Sequence, residues 1–269
     1  MIRRRAVEAA AFLGEALASV ASLQGGDLSD VSRLRFASGR SVVLKAGATA
    51  RSEAAMLDAI RATGAPAPAV LGVLEDLLVL EDLGRDDGLA EAWGHLGQVA
   101  ARLHAATGTG YGWPADHRFA HLPIRNAPLD DWPAFWAERR LLAEAGGLPG
   151  DLASRVERLA SRLADHLPRA PRPALLHGDL WTGNVMASGA RVTGLIDPAC
   201  YHGHAEVDLA MLTLFGSPPS AFWESYGAVE PGLAERRPVY QLWPALVHLR
   251  LFGAGYRGLV ERLLAQLGA

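Results

Sequence analysis

The sequence has little cysteine: Cys200 is its single thiol. One cysteine excludes an intrachain disulfide framework and a zinc site made of several thiolates, and it fits a reducing compartment. An excess of positive charge is also missing, because the net charge is −3, so the basic patch typical of nucleic-acid-binding proteins is not expected. No apolar run reaches the roughly 18 residues that a membrane-spanning helix needs. We therefore expect a cytoplasmic protein that binds neither nucleic acid nor membrane.

Two common signals for nucleotide binding are missing: the Walker motif and the Gly-x-Gly-x-x-Gly loop. The segment GGDLSD at residues 25–30 lies just before the first predicted hairpin. The backbone N–H groups around Gly26 are candidates to cover phosphates there. An ordinary turn between a helix and a strand explains the same residues equally well, and both interpretations stay open.

The first third of the chain reads as a small sheet with helices. Residues 4–23 are predicted as one amphipathic helix, because two glutamates interrupt the alanine-rich run and argue against an export signal. Alternating apolar and polar residues predict a hairpin that turns at Ser38-Gly39. A helix over 48–64 follows, and then two short strands within 70–81.

Beyond Gly84 the sequence is mainly helical, interrupted by a long loop over 107–131. We therefore predict an α+β, bilobal architecture. Residues 1–84 form a lobe with a small antiparallel sheet and helix, and residues 85–269 form a mainly helical lobe. A cleft between two lobes is a natural site for small molecules.

The segment LLHGDLWTGNVMASGARVTGLIDP, at 175–198, contains the strongest candidates for chemistry. Asn184 and Asp197 offer a neutral and a charged oxygen, a donor set that suits Mg²⁺ bound to phosphates. Asp179 is then free to accept a proton. This division of roles is typical of phosphoryl-transfer enzymes. A single Asp in a turn is usually a cap, but the ordered set is much rarer by chance.

A kinase also needs a cation on the phosphates. Lys45 ends the predicted strand SVVLK, and Glu53 on the following helix is a candidate to hold its ammonium group. A solvated lysine at a strand edge is the simpler interpretation of Lys45 taken alone, and the nearby Arg51 and Asp58 offer competing pairings for Glu53. The catalytic set downstream favours the functional interpretation.

Several segments together resemble the fructosamine kinase (ketosamine-3-kinase) family. They are LLHGDLWTGNV, IDPACYHGHAEVDLAMLTLFG and YQLWPALVHLRLFGAGY, with GGDLSDVSRLRFASGRSVVLK, LEDLG and DDWPAFWAERRL in the family's order. The resemblance covers nearly the whole chain. The family belongs to a wider group with protein-kinase-like folds that includes aminoglycoside phosphotransferases and choline kinases. The resemblance therefore implies a protein-kinase-like fold, in which residues 1–84 are the nucleotide-binding lobe and residues 85–269 carry the catalytic loop and the acceptor site.

The resemblance implies an ATP-dependent kinase that uses Mg²⁺ and phosphorylates the 3-hydroxyl of a ketosamine, either free or on a glycated protein. It implies that Asp179 accepts the proton of that hydroxyl, a role that needs only an ordinary carboxylate pKa. Asn184 and Asp197 would hold Mg²⁺, and Lys45 would contact the ATP phosphates. The remaining implied contacts are the hinge residues Glu81, Asp82 and Leu83 at adenine, and Trp181 and Tyr201 beside the sugar.

Two further residues of the resembling segments are interpreted as structural. Asp208 is expected to accept hydrogen bonds from the backbone of the catalytic loop, and His177 to orient that loop. The loop DHRFAHLPIRN departs from the family's pattern at His117, His121 and Arg125. Because this loop is expected to border the substrate, an acceptor other than the family's stays open.

Alternative functions remain at this stage. One is a small-molecule kinase for another hydroxyl acceptor, such as an aminoglycoside or an amino alcohol. A polycationic aminoglycoside would need a markedly acidic acceptor lobe, and a net charge of −3 does not indicate one. Another is a non-catalytic ATP-binding regulator, against which the intact candidate set argues. We expect a monomer or a weak dimer.

Overall fold

A computed structural model describes residues 2–23 and 30–269. The first lobe is built on a five-stranded antiparallel sheet with the order β1-β2-β3-β5-β4. Its strands are β1 (Leu17–Ser22), β2 (Asp30–Phe36), β3 (Ser41–Ala46), β4 (Val70–Leu74) and β5 (Leu77–Glu81), and its helices are α1 (Ile2–Leu13) and α2 (Ala50–Ala62). The β2–β3 hairpin turns at Gly39, whose φ of 88° is one that glycine adopts without strain. The predicted hairpins and the helix between them are confirmed.

The prediction of one helix over residues 4–23 is wrong in its second half. Helix α1 ends at Leu13, and Gly14 follows with a φ of 67°. Residues 17–22 form the edge strand β1, which pairs antiparallel with β2. The alanine-rich sequence favours a helix locally, but pairing with β2 satisfies the backbone and overrides that weak preference.

The second lobe is mainly helical, as predicted. Its helices are α3 (Trp93–Ala105), α4 (Trp132–Trp136), α5 (Leu142–Ala145), α6 (Gly150–Ala160), α7 (Glu206–Leu212), α8 (Ser220–Tyr226), α9 (Leu233–Phe252) and α10 (Arg257–Gln266). Three short antiparallel strand pairs accompany them: β6 (His117–Phe119) with β7 (Leu122–Ile124), β8 (Ala174–Leu176) with β11 (Tyr201–Gly203), and β9 (Val185–Ser188) with β10 (Arg191–Leu195). None of the helices in the described ranges combines the length and the apolarity needed to cross a membrane.

The two lobes share a hydrophobic core. One buried cluster joins Met56 and Ile60 of α2 to Leu96 of α3 and Leu195 of β10. The proposed boundary at residue 84 therefore lies between β5 and α3 in sequence, but apolar packing continues across it. This packing fixes α2 against the strands that carry the catalytic segment.

The predicted loop 107–131 contains the β6–β7 hairpin, which is anchored at both ends. At its base, Arg140 Nη2 donates to Asn126 Oδ1 at 3.0 Å, and the Asn126 N–H donates to Asp116 Oδ1 at 2.7 Å. Near its start, His117 Nδ1 lies 3.1 Å from Ser52 Oγ on α2. The hairpin thus connects the second lobe to the helix of the first lobe.

Candidate active site

One cavity of about 840 Å³ lies between the sheet lobe and the helical lobe. Part of its lining consists of five charged or amide side chains that the sequence analysis had singled out. We call this set the charged end. Its members are Lys45, Glu53, Asp179, Asn184 and Asp197. The fold thus brings together five side chains that are up to 152 positions apart in the sequence.

Lys45 links the two lobes at the charged end. Its Nζ donates to Glu53 Oε1 and to Asp197 Oδ1, each at 2.7 Å. Burial acts to lower the pKa of Lys45, but the two carboxylates outweigh it, so the pKa is raised. For Glu53 burial dominates instead, and its pKa is raised despite the lysine. The predicted Lys45–Glu53 pair is confirmed, and the short segment between these residues does not prevent it.

Asp197 follows β10 with a φ of 55°, a left-handed conformation that is rare for a residue other than glycine. Close backbone packing accompanies it: a Cβ added to Gly178 would lie 2.1 Å from the Ala199 carbonyl oxygen. The glycine of His-Gly-Asp therefore permits the catalytic segment to lie directly against the segment after Asp197. Such strain is common at functional sites.

Asp208 and His177 fix this arrangement from behind, as predicted. Asp208 is fully buried and accepts hydrogen bonds from the backbone N–H groups of His177 at 2.7 Å and Gly178 at 2.9 Å. His177 Nε2 donates to the Ile196 carbonyl at 3.0 Å, while its Nδ1 accepts from the Asp179 N–H at 3.3 Å. Burial lowers the pKa of His177, which keeps the imidazole neutral.

Asp179 lies at the centre of the charged end. Its Oδ2 accepts a hydrogen bond from Asn184 Nδ2 at 2.9 Å. Burial raises the pKa of Asp179 to about 7, against the effect of that hydrogen bond and with further contributions from the charges of Asp197 and Asp208. An ordinary carboxylate pKa would suffice for a proton acceptor, and the raised pKa follows from low polarity, which disfavours the ionised form.

The oxygens left over at the charged end suit a hard cation. Asn184 uses its Nδ2 on Asp179, and Asp197 uses one oxygen on Lys45. Among the described residues, Asn184 Oδ1 and Asp197 Oδ2 keep no hydrogen-bond partner. Two oxygens of this kind, completed by waters and phosphates, form the ligand set that Mg²⁺ prefers.

The other predicted contacts differ in their positions. Trp181 lines the cavity and is 38% exposed. Tyr201 does not: it is 0% exposed, its ring stacks on Phe135, and the Arg140 guanidinium lies 4.1 Å above it. Because Tyr201 has no exposed surface, the expected contact with a sugar is corrected to a role in the core.

The hinge side chains turn away from the cavity. Glu81 Oε2 accepts from the Ala69 N–H at 3.0 Å, and Asp82 accepts from Arg33 and Ser41. Since the predicted adenine contacts of Glu81 to Leu83 use the backbone, they stay a prediction. The predicted phosphate turn at Gly26 lies outside the described residues.

A second part of the cavity lining is aromatic and was missed by sequence reasoning. Phe215, after α7, contacts His248 near the end of α9 and Tyr256 in the turn beyond it, and Phe252 packs against both of these residues. We call these four residues the aromatic end. A partial signal was available, because positions 248 and 252 are four residues apart and share one face of α9.

Comparisons with known proteins identify similar sequences and a similar fold. The family described as fructosamine kinase matches residues 4–269. A protein named probable ketoamine kinase, from Synechocystis, is 41% identical over 202 residues; the match covers 70% of this chain and 66% of that protein, slightly less than two thirds of its length. A crystal structure named as a candidate fructosamine-3-kinase, from Thermobifida fusca, is 31% identical, with a TM-score of 0.89 and 97% of each chain covered.

A more distant likeness concerns the fold alone. A solved aminoglycoside phosphotransferase, in complex with ADP and hygromycin B, is 15% identical with a TM-score of 0.67, and the match covers 97% of this chain and 96% of that one. The predicted protein-kinase-like α+β fold is confirmed.

Proposed function

The chain belongs to the fructosamine kinase family, and on that premise we propose that it is an ATP-dependent kinase for the 3-hydroxyl of a ketosamine. The observation that carries the proposal is the position of Lys45, whose Nζ lies 2.7 Å from both Glu53 and Asp197. This is the lysine–glutamate pair and metal-binding aspartate of kinases, found beside a second aspartate in one cavity. The ketosamine itself follows from the family and from the names of the relatives.

Asp179 acts as the proton acceptor in this proposal. The transition state of phosphoryl transfer is loose, so the protein has mainly to position groups and balance charge. Asn184 holds the carboxylate of Asp179 through a 2.9 Å hydrogen bond, which orients one oxygen towards the incoming hydroxyl group. The raised pKa of Asp179 makes its carboxylate a better proton acceptor than an ordinary aspartate.

The phosphates of ATP lie against Lys45 in the same scheme. Its ammonium group is held by Glu53, so it is already oriented before a nucleotide binds. Asn184 and Asp197 would hold Mg²⁺ through their remaining oxygens. A bound Mg²⁺ supplies neutralisation of the phosphate charge, which lowers the barrier to transfer.

A polycationic acceptor such as an aminoglycoside is less compatible with the cavity. Within the described residues, the carboxylates that line it are Glu53, Asp179 and Asp197. All three belong to the charged end, and none is left to bind extra ammonium groups of an acceptor. The acceptor side instead offers aromatic rings and the exposed Arg118.

The test is an ADP-release assay with four acceptors in parallel: fructosyl-lysine, ribulosyl-lysine, kanamycin and choline. We expect turnover with at least one of the two ketosamines and none with kanamycin. Turnover with kanamycin or choline alone would replace the proposed acceptor class. Binding of ATP without turnover of any acceptor would favour a regulatory protein.

A glycated protein is also compatible as the acceptor, since Trp181 and the aromatic end are partly open to solvent. Mass spectrometry of a glycated test protein, before and after incubation with ATP, measures this directly. Phosphorylation of the adduct is expected. The cytoplasmic location and the monomer or weak dimer stay predictions, to be checked by cell fractionation and by light scattering.

A further inference from the structure

One polar side chain, His248, lies in the middle of the aromatic end. Its ring centroid is 5.0 Å from that of Phe215, 5.4 Å from that of Phe252 and 5.0 Å from that of Tyr256. All four side chains line the cavity that also contains Asp179. A histidine surrounded in this way by rings has few neighbours that compete for its nitrogen atoms.

The hydrogen bond of His248 defines which nitrogen carries the proton. Nδ1 lies 2.7 Å from the carbonyl oxygen of Pro244, one turn earlier in α9. A carbonyl oxygen only accepts hydrogen bonds, so Nδ1 must donate. Burial lowers the pKa of His248, so the ring is neutral at pH 7 and Nε2 is a bare acceptor.

Nothing in the described residues uses that acceptor, because Nε2 of His248 has no hydrogen-bond partner among them. The aromatic end also contains no carboxylate. A ligand group that fits here therefore offers an N–H donor and an apolar or cationic surface for the rings. A secondary amine, neutral or protonated, has both properties, since aromatic faces attract ammonium groups.

A ketosamine carries such a group only a few bonds away from the hydroxyl group that reacts. Three carbon atoms separate the 3-oxygen, which faces Asp179 in the proposed reaction, from the amine nitrogen on the first carbon. The amine and its substituent must therefore leave the charged end within the same cavity. A plain ketose has the same hydroxyl groups but carries no N–H at this point.

We propose that His248 Nε2 accepts a hydrogen bond from the amine N–H of the acceptor, with Phe215, Phe252 and Tyr256 packing around the amine substituent. This specificity site rests on the proposed function and explains how a ketosamine is distinguished from a free ketose. It assigns acceptor choice to the aromatic end and phosphoryl transfer to the charged end.

The test compares a matched pair of acceptors: fructosyl-propylamine and its ether analogue, in which oxygen replaces the N–H group. Hydrogen bonds that involve a charged group contribute about 1.5–3 kcal/mol, equivalent to roughly 10–100-fold. We expect the wild type to prefer the amine by about that factor in kcat/KM, mainly through KM. His248→Phe keeps a ring but removes the acceptor, so most of the preference is expected to be lost, with only the attraction of the rings for an ammonium group remaining.

His248→Gln serves as the second variant, because a glutamine oxygen reaches about as far as Nε2 and is expected to restore part of the preference. His166→Phe, outside the cavity, is the matched control and is expected to keep the wild-type preference. Thermal unfolding of each variant checks that it folds. Equal use of both acceptors by the wild type, or an unchanged preference in His248→Phe, would overturn the proposal while leaving the kinase activity in place. Turnover of neither acceptor would overturn the proposed function together with this site.

Discussion

The charged end and the aromatic end of the cavity are organised by opposite means. At the charged end each side chain is held by another, as in the 2.7 Å contacts of Lys45 with Glu53 and Asp197. At the aromatic end the rings contact one another, and Phe215 and Phe252 remain 47% and 43% exposed. The contrast suits two tasks, because a transferred phosphoryl group needs fixed charges, whereas an acceptor needs a surface that it can cover.

The largest effect is expected at the charged end, from Asp179→Asn. The change keeps the shape of the side chain and removes its basicity. Loss of a general base typically lowers turnover by about 10²–10⁴-fold, so we expect a fall of that size in kcat with ATP affinity retained. Steady-state kinetics and nucleotide titration measure the two quantities.

Asp165→Asn, an exposed change in the helical lobe, is the control for this variant and is expected to leave kcat unchanged. Near-normal turnover in Asp179→Asn would remove the proton-acceptor role and leave the charged end with a purely electrostatic function.

The next largest effect is expected from Asp197→Ala, which removes a proposed metal ligand and one partner of Lys45. Even outer-shell partners of a metal cost about 10–100-fold in affinity when they are lost, so a direct ligand should cost at least about 100-fold. We expect the increase in ATP affinity caused by Mg²⁺ to disappear. ATP titrations with and without Mg²⁺ measure it, and overlapping curves for the variant and the wild type would argue against the assignment.

The two ends also differ in how far they were readable from the sequence. Asp179, Asn184 and Asp197 lie within one short segment whose order is rarely produced by chance, so their grouping was predictable. Tyr201 was misassigned because the inward and outward faces of a three-residue strand cannot be distinguished by pattern. The aromatic end joins position 215 to positions 248–256, and no local rule indicates that these segments meet.

The same physical reason explains the error at β1. Alanine, serine and valine in residues 16–22 have weak preferences, and only pairing with β2 decides their conformation. Residues whose structure depends on distant partners were thus the ones that the sequence left undetermined.

A smaller effect is expected at the aromatic end from Phe252→Ala. A fully buried phenylalanine contributes about 1.5–3 kcal/mol, and a ring that remains 43% exposed contributes less. We expect KM for the ketosamine to rise by about fivefold, on the basis of roughly 1 kcal/mol, with KM for ATP unchanged. Leu142→Ala, an exposed apolar residue outside the cavity, is the control. A change in kcat with constant KM would mean that the aromatic end takes part in transfer.

The smallest effect is expected from Ser52→Ala, at the contact through which the β6–β7 hairpin reaches the charged end. Ser52 Oγ lies 3.0 Å from the Thr49 carbonyl, to which it donates, so His117 Nδ1 must donate to Ser52 across 3.1 Å. The pKa of His117 is lowered to about 4 by burial and then by the charge of Lys45, which keeps the ring neutral. A neutral hydrogen bond contributes about 0.5–1.5 kcal/mol net.

Because Ser52 precedes Glu53 on α2, its contact with His117 connects the β6–β7 hairpin to the helix that orients Lys45. Loss of the contact should raise KM for the acceptor by about threefold, a value near the lower end of that range. Ser154→Ala, whose hydroxyl group bonds within α6, is the matched control and should change nothing. A rise confined to KM for ATP would show that the contact serves the nucleotide side only, and the two ends would then be independent rather than joined through this hairpin.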